Sequence, residues 1–355
     1  MATGKTPNAK KGIGSKFQNM TDTNLLLTIT VVVFFVMYIG AMIFQGGAFL
    51  RPQAFLNILN SQAALIIAAC GMSIVMITGG IDISVGGVAA LVSMSCAVYL
   101  DHKGGNVFVS LIIALAIGLA FGLVQGALVA YLEIQPFIVT LAGMFFARGM
   151  TTMVHTEPFN VQNEQFVTLK NTRIVIPGLG SVSRSGTYVD AYIEIGVVVA
   201  LLIVIFFFCV LRWSKLGRRF YAVGGNSQSA LMLGINVKRT KFYSHLICGL
   251  LAGIGGFVYF LHVGSGSPSH AMGMEMNAIA SSIIGGTMLT GGVGNIVGTF
   301  FGVLSLSTIQ NIVSSAGLGE AWWTGITVAA MLCLFLVIQS IVMARKKKII
   351  KGGAE

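Results

Sequence analysis

Apolar stretches as long as a bilayer is thick recur along this chain, and no other feature constrains its fold as tightly. From Leu25 to Phe44, 20 residues pass without a charged side chain, the length of helix that crosses a hydrocarbon core of roughly 30 Å. Similar spans fall near 57–77, 83–100, 107–132, 137–154 and 193–211, then near 242–263, 276–290, 293–316 and 322–343. Backbone amides find no partner in lipid, so such segments fold as helices that satisfy their own hydrogen bonds. Only 9% of the residues are charged, against about 25% in an ordinary soluble domain, too few to clothe a water-soluble surface. The expected fold is all-α and polytopic, with about ten transmembrane helices. The first span is longer than the apolar core of a signal peptide and lacks a small-residue cleavage site, so it is expected to remain a helix of the mature protein.

The net charge of +11 would suit nucleic acid if it were spread over one surface, but it is concentrated along the chain. Residues 1–24 hold four lysines, 212–241 hold seven Lys or Arg with no acid, and 344–355 hold five more, so 16 of the 22 basic residues sit in three blocks. Cytoplasmic segments of membrane proteins carry this excess. Six spans separate the first two blocks and four separate the last two, even numbers in both cases, which places all three blocks on one side. The expected organisation is a cytoplasmic basic extension (1–24), a transmembrane domain (25–343) and a cytoplasmic basic tail (344–355). Within the domain, 155–192 is an extracytoplasmic loop and 212–241 a cytoplasmic one. The charge reports topology; membrane lipid is the expected surrounding, and nucleic acid is excluded as a partner.

Catalytic chemistry is scarce. Cys70, Cys96, Cys209, Cys248 and Cys333 lie singly in apolar stretches and are expected to be small buried hydrophobes. His245 and His262 lack metal-ligand spacing. No G-x4-G-K-[ST] phosphate loop occurs, and no Ser/His or acid pair stands at catalytic spacing. The chain is therefore not expected to be an enzyme, and any ATP hydrolysis falls to another subunit.

Glycine is abundant, at 45 residues. Gly118, Gly122 and Gly126 form one row at four-residue spacing and Gly294, Gly298 and Gly302 another, a pattern that lets helix backbones approach closely in lipid. The rows fall on the fourth and ninth spans, five apart and so of opposite direction, as inverted five-helix repeats would place them. The pairs Gly79-Gly80…Gly86-Gly87 and Gly285-Gly286…Gly291-Gly292 do not correspond under that pairing. They act as interruptions, because glycine weakens a continuous helix. Irregular backbone at membrane depth persists only inside protein or beside a water-filled cavity, and interrupted helices point to transport sites. Gly79, Gly80, Asp82, Ser84, Gly86, Gly87, Gly285, Gly286, Gly291, Gly292 and Asn295 are accordingly the candidates for lining a translocation pathway. Asp82 carries two readings. It caps the helix that follows, or it is a pathway carboxylate, since a charge at the bilayer centre costs about 2.5–3.5 kcal/mol and faces a cavity or a partner. The second reading would also serve an ion-coupled secondary transporter of small polar solutes, the alternative function.

The internal basic loop holds a turn at Gly224-Gly225-Asn226-Ser227 followed by a short helical run from Gln228 to Leu233. Asn226 or Ser227 can cap its first amides, and Gly234 supplies a left-handed stop. A short capped helix outside the membrane is a rigid knob suited to docking a partner. Among isolated polar residues, Arg148 neutralises an acid or solute, or snorkels to an interface. Trp322 and Trp323 open the last span as an aromatic belt or as a stacking platform. Gln125, Asn277, Asn295, Gln310 and Asn311 can bind hydroxyls or bridge helices.

Four separated motifs together carry a family resemblance: Gly79-Gly80-Ile81-Asp82-Ile83-Ser84-Val85-Gly86, then Gln135 to Leu141, then Gly217 to Asn226 with Gly234-Ile235-Asn236-Val237, and finally Gly285-Gly286…Gly291-Gly292-Val293-Gly294. From about residue 55 to 340 the chain resembles the membrane permeases of the ribose/xylose/galactose class of ABC importers. Phe137 to Arg148 and the Trp322-Trp323 pair look closest to a galactofuranose importer permease. The resemblance implies a permease subunit that dimerises with an identical copy or a paralogue in the bacterial inner membrane. It would receive a monosaccharide or related polar solute from an extracytoplasmic binding protein and be driven by ABC ATPase subunits. ATP and Mg would be bound by those ATPases, with no cofactor in this chain. The resemblance also assigns ATPase docking to the loop holding Arg218, Arg219, Asn226, Ser227, Ser229, Leu233 and Gly234.

Overall fold

The computed structural model describes residues 22–46, 49–182, 188–318 and 320–352. Most of the basic extension 1–24 and the last three residues of the tail lie outside them. The order is α1 (Asp22–Gln45), α2 (Pro52–Ile77), α3 (Val85–Asp101), α4 (Val107–Ala130), α5 (Pro136–Val154), β1 (Phe159–Asn160), α6 (Glu164–Asn171), β2 (Arg173–Val182), β3 (Tyr188–Glu194) and α7 (Ile195–Trp213). There follow α8 (Lys215–Gly225), α9 (Ser227–Met232), α10 (Val237–Val263), β4 (Ser265–Gly266), α11 (Met274–Ile284), α12 (Ile296–Ser315) and α13 (Ala321–Gly352). The protein is an all-α membrane fold with two small two-stranded sheets among the described residues.

Each expected span holds a helix, but among the described residues only eight are long and apolar enough to cross a membrane: α1, α2, α4, α5, α7, α10, α12 and α13. The third and eighth spans hold α3, of 17 residues, and α11, of 11, about 25 and 16 Å long. Each follows a non-helical segment, 78–84 before α3 and 264–273 before α11. The basic tail is also not a separate segment, since α13 continues without a break to Gly352.

Burial divides the helices into a core and a lipid-facing shell. The apolar window of α2 is 89% buried, that of α13 only 11%. α10 packs against α2, α3 and α4, while α2 packs against α10, α11 and α12; α3 touches α4 and α5 as α11 touches α12 and α13. This pattern repeats with an offset of five spans, so the two short helices are counterparts in the packing. The glycine rows do not trace it. Gly118 and Gly122 face Gly249 and Gly253 on α10, whereas Gly298 and Gly302 face Gly285 and Ser281 on α11. A Cβ on Gly118 would stand 2.8 Å from the Gly253 Cα, so both rows serve close helix packing. Buried hydroxyls add interhelical bonds: Ser73 Oγ donates to Ser282 Oγ at 2.9 Å and lies 2.6 Å from Thr299 Oγ1.

The segment between α5 and α7 carries α6 and the β2–β3 hairpin, and β1 pairs antiparallel with β4. The hairpin is fastened to α2, where Asn60 Oδ1 accepts from the Glu194 N–H at 2.9 Å and Gln53 Oε1 from the Tyr192 N–H at 2.8 Å. His262 on α10 pairs with Glu194 at 2.7 Å, so it is not isolated. All five cysteines are free; Cys70, Cys96 and Cys248 are buried, but Cys209 is half-buried and Cys333 exposed, because α7 and α13 belong to the outer shell.

Candidate functional site

At one end of the bundle the loop between α7 and α10 folds as two helices with a cap at every junction. Ser214 Oγ accepts from the Gly217 N–H at 2.9 Å, Asn226 Oδ1 from the Ser229 N–H at 2.8 Å, and Asn236 Oδ1 from the Arg239 N–H at 2.9 Å. These caps satisfy amides that a helix start leaves without partners. α8 buries Phe220 and Val223 and exposes Arg218 and Arg219. α9 has the expected position, Gly234 stops it with φ +78°, and Ser227 Oγ ties it back to the Val223 carbonyl at 3.0 Å. Its end is an apolar tip: Leu231, Met232 and Leu233 are 64%, 88% and 79% exposed. Beside α9 runs a groove of about 840 Å³ bounded by Glu133 to Pro136 and the start of α10. Across it, Lys238 Nζ stands 2.8 Å from Glu133 and holds that carboxyl below the usual range through their hydrogen bond.

Behind α9 the two glycine-interrupted segments meet each other and α8. The Gly292 N–H donates to the Ile77 carbonyl at 2.9 Å, and Tyr221 Oη donates to the Gly294 carbonyl at 2.8 Å. Burial pushes the Tyr221 hydroxyl up to about 12, so it stays protonated and able to donate. Gly224 sits so close that a Cβ there would fall on the Ile77 oxygen. Gly291 and Gly292, at φ +81° and +74°, turn the chain where a Cβ on Gly291 would lie 3.0 Å from the Gly79 Cα. Gly79 itself is exposed, as are Leu289 and Thr290.

The other pathway candidates are packed against protein. Gly80 faces Val75, His245 and Pro136; Gly87 faces Met144 and Ala147; Gly285 abuts Gly298 and Thr299; Gly286 abuts Leu26. Asn295 caps α12 through the Val297 N–H at 2.9 Å. Asp82 is 1% exposed, and its Oδ1 accepts from the Ser84 N–H at 3.0 Å and from Ser84 Oγ at 2.6 Å. It therefore closes an Asx turn onto Ser84, the residue just before α3, with Cys248 and His245 of α10 facing it. Ser84 Oγ also lies 3.1 Å from Gln125 Oε1, while Gln125 Nε2 has no partner among the described residues. Turned end for end, the amide would donate to the serine oxygen.

The segment before α11 carries a site that the residue pattern does not announce. Past α10 the chain turns at Gly264, φ +78°, and runs back along α3 without forming helix. Gly266 packs on Ala97, His270 Nδ1 lies 3.2 Å from Ser93 Oγ, and Ala271 reaches Gly86. Those α3 contacts are 11 residues apart, or about 16 Å of descent. Arg148, midway along α5, holds this re-entrant segment: its Nη2 donates to the Ala271 carbonyl at 2.8 Å and its Nη1 to the His270 carbonyl. It is thus an internal brace and does not snorkel. Glu275, in the first turn of α11, is 9% exposed, and its Oε2 has no hydrogen-bond partner among the described residues. Gly86 leaves room for that oxygen, which a Cβ would strike.

Two cavities that share Ser61 open on α2, and one of them borders the break. One, of about 330 Å³, is lined by Ser61, Gln62, Tyr259, Ser269, Met272 and Asn277 among others. The next, about 340 Å³, shares Ser61 and adds Asn57, Asn311 and Ser315. Asn277 and Asn311 are legible in the sequence as polar residues in apolar spans; Asn57, Ser61 and Gln62 are masked by the run of polar residues that opens α2.

Over residues 54–336 the chain matches the family described as the permease component of the branched-chain amino acid transport system. It is 35% identical over 320 residues to the inner membrane ABC transporter permease protein YjfF of Escherichia coli, covering 90% of this chain and 93% of that one. It is 34% identical over 326 residues to the fructose import permease protein FruG of Bifidobacterium longum, covering 91% and 93%. It is 35% identical over 276 residues to the ribose import permease protein RbsC of Bacillus subtilis, covering 77% and 80%. No solved structure matches it. Broken helices, a capped knob outside the bundle and similarity along nearly its whole length all agree: this chain belongs to the family of membrane permease components of ABC transporters.

Proposed function

We propose that this permease imports a monosaccharide or a related neutral polar solute into a bacterial cell. The observation that carries the reading is the α9 tip, three exposed apolar residues on a capped helix that follows directly on α8, whose last two residues abut both broken segments. A chain without a phosphate loop needs an external motor, and this knob offers one a rigid place to push. A pair of ABC ATPases docks at Arg218, Arg219, Asn226, Ser227, Ser229, Leu233 and Gly234 and binds the ATP and Mg; this chain performs no covalent step. A second permease copy or paralogue completes the pathway, and an extracytoplasmic binding protein delivers the solute. The basic blocks orient the chain in the inner membrane with both termini and 212–241 in the cytoplasm and 155–192 outside.

The route runs along the uncharged polar face of Asn57, Ser61, Gln62, Asn277 and Asn311 and leaves near Gly79 and the 288–290 turn. Gly80, Asp82, Ser84, Gly86, Gly87, Gly285, Gly286, Gly291, Gly292 and Asn295 shape the breaks that open it. A neutral sugar needs such amide and hydroxyl groups more than charge. An ion-coupled carrier would need Asp82 free to take up the ion, and its Oδ1 is committed to the N–H and hydroxyl of Ser84. Ser229→Pro combined with Leu233→Asp should abolish sugar uptake in proteoliposomes containing permease, ATPase and binding protein, while membrane assembly persists. Normal uptake by the doubly changed complex would overturn the docking assignment.

A further inference from the structure

We infer that the cavity under the re-entrant segment, lined by Ser61, Gln62, Tyr259, Ser269, Met272 and Asn277, is a transient binding subsite for one ring of a neutral polyhydroxylated solute. The inference rests on the import reading and adds the place and chemistry of recognition. Its volume of about 330 Å³ lies at the bottom of the usual ligand range of roughly 300–1,000 Å³, enough for a single sugar ring and too small for an oligosaccharide.

The polar groups in it are uncharged and have bonding capacity left. The side chains of Gln62 and Asn277 form no hydrogen bond among the described residues, and each amide offers two N–H donors and a carbonyl acceptor. Ser61 Oγ donates to the Ile58 carbonyl at 3.2 Å and keeps its lone pairs for a hydroxyl. Tyr259 Oη accepts from the Ala271 N–H at 3.4 Å, leaving its own proton to donate. A sugar hydroxyl both donates and accepts, so this set suits it. Met272, 73% exposed, supplies an apolar wall for the C–H face of a ring.

The two nearby charges are turned away from this work. Arg148 is occupied by the carbonyls of His270 and Ala271, and Glu275 is buried against Gly86. A zwitterionic amino acid would find no charged group in this lining to pair with either of its own. The subsite therefore selects neutral hydroxylated solutes, and its openness keeps the affinity low, as release on the far side requires.

The test uses the complete importer in proteoliposomes, with native cysteines replaced and Ser61→Cys as a reporter. A neutral maleimide is applied with D-ribose, D-xylose, D-fructose or L-leucine at 100 mM, and the wild-type complex is assayed in parallel for uptake of each. The expected result is at least twofold slower labelling with the imported sugar and none with L-leucine, the protection vanishing in Gln62→Leu/Asn277→Leu. That pair should also lower maximal uptake at least fivefold while stimulation of the ATPase by loaded binding protein persists. Uptake of a sugar by the wild type without any protection would overturn the subsite, and equal protection by L-leucine would overturn its selectivity. Failure of the wild type to import any of the sugars would instead overturn the import reading, and the subsite with it.

Discussion

Gly224 and Gly225 stand side by side at the end of α8, yet only one of them has room for a methyl group. A Cβ on Gly224 would strike the Ile77 carbonyl oxygen and come within 2.6 Å of the Gly292 nitrogen, the two atoms of the bond that joins the broken segments; around Gly225 nothing lies within 4 Å. Ordinary contact begins near 3.4 Å, so Gly224→Ala must drive α8 and the junction apart by well over an ångström. Overpacking of this kind costs roughly 1–3 kcal/mol. Because the junction is the place where α8, and through it α9, bears on both breaks, the cost falls on the arrangement in which they touch. About 2 kcal/mol borne by one state of a two-state cycle changes their ratio roughly thirtyfold. The measurement is ATP hydrolysed per sugar moved in proteoliposomes. Gly224→Ala should raise it at least tenfold with the ATPase still bound, Tyr221→Phe should raise it less by losing only the bond to Gly294, and Gly225→Ala should leave it unchanged. A Gly224→Ala complex that couples as the wild type does would refute the idea that force passes through this junction.

Arg148→Met removes two charge-assisted hydrogen bonds to the re-entrant segment, each contributing about 1.5–3 kcal/mol. The thermal midpoint of the complex should fall and uptake should vanish, with Arg148→Lys intermediate because an ammonium cannot reproduce the fork; wild-type values for the methionine variant would show that the segment holds without its brace. Asp82→Asn retains an acceptor for Ser84 and should transport near normally, whereas Asp82→Ala leaves the buried Ser84 N–H without its partner, about 1–3 kcal/mol. Lost uptake in a properly assembled asparagine variant would instead demand the negative charge. Single cysteines at Thr172 and Lys215 should react with an impermeant maleimide from opposite sides, and labelling of both from one side would invalidate the topology.

The long helices are legible in the sequence because hydropathy counts residues, and a helix longer than 18 apolar residues has no other place to go. The short ones are misjudged by the same count. Apolar residues continue past Ile284 to Met288 and Leu289, so the expected span 276–290 looks continuous, but Gly286 at φ +87° and the buried packing of Gly285 on α12 end the helix there. Before α11, Gly264 to Gly273 holds glycine, serine and proline and looks like an ordinary surface connection. Its descent beside α3 depends on contacts with Ser93, Gly86 and Arg148, all more than 100 residues away in sequence, which no local pattern encodes. α8 was within reach: Leu216, Phe220 and Val223 recur at helical spacing, though the arginines between them draw attention to charge instead.

Asp82 and Arg148 mark the limit of what a single sequence reveals about a site. Both are charges in apolar surroundings, where each must find compensation. Asp82 finds it two residues away, in the amide and hydroxyl of Ser84, and an acceptor just ahead of a helix start is a local signal that sequence reading can weigh. Arg148 finds it in backbone carbonyls, which every residue possesses and no sequence distinguishes. A search for an acidic partner leads to Glu275, yet that carboxylate forms no ion pair within 4.0 Å among the described residues, and the strong bonds go to the chain just before it. The arginine thereby fastens a polar stretch outside any helix against α3 and α5. A stretch so fastened leaves amides and hydroxyls free beside it, and a permease that must hold a neutral solute only in passing needs little more.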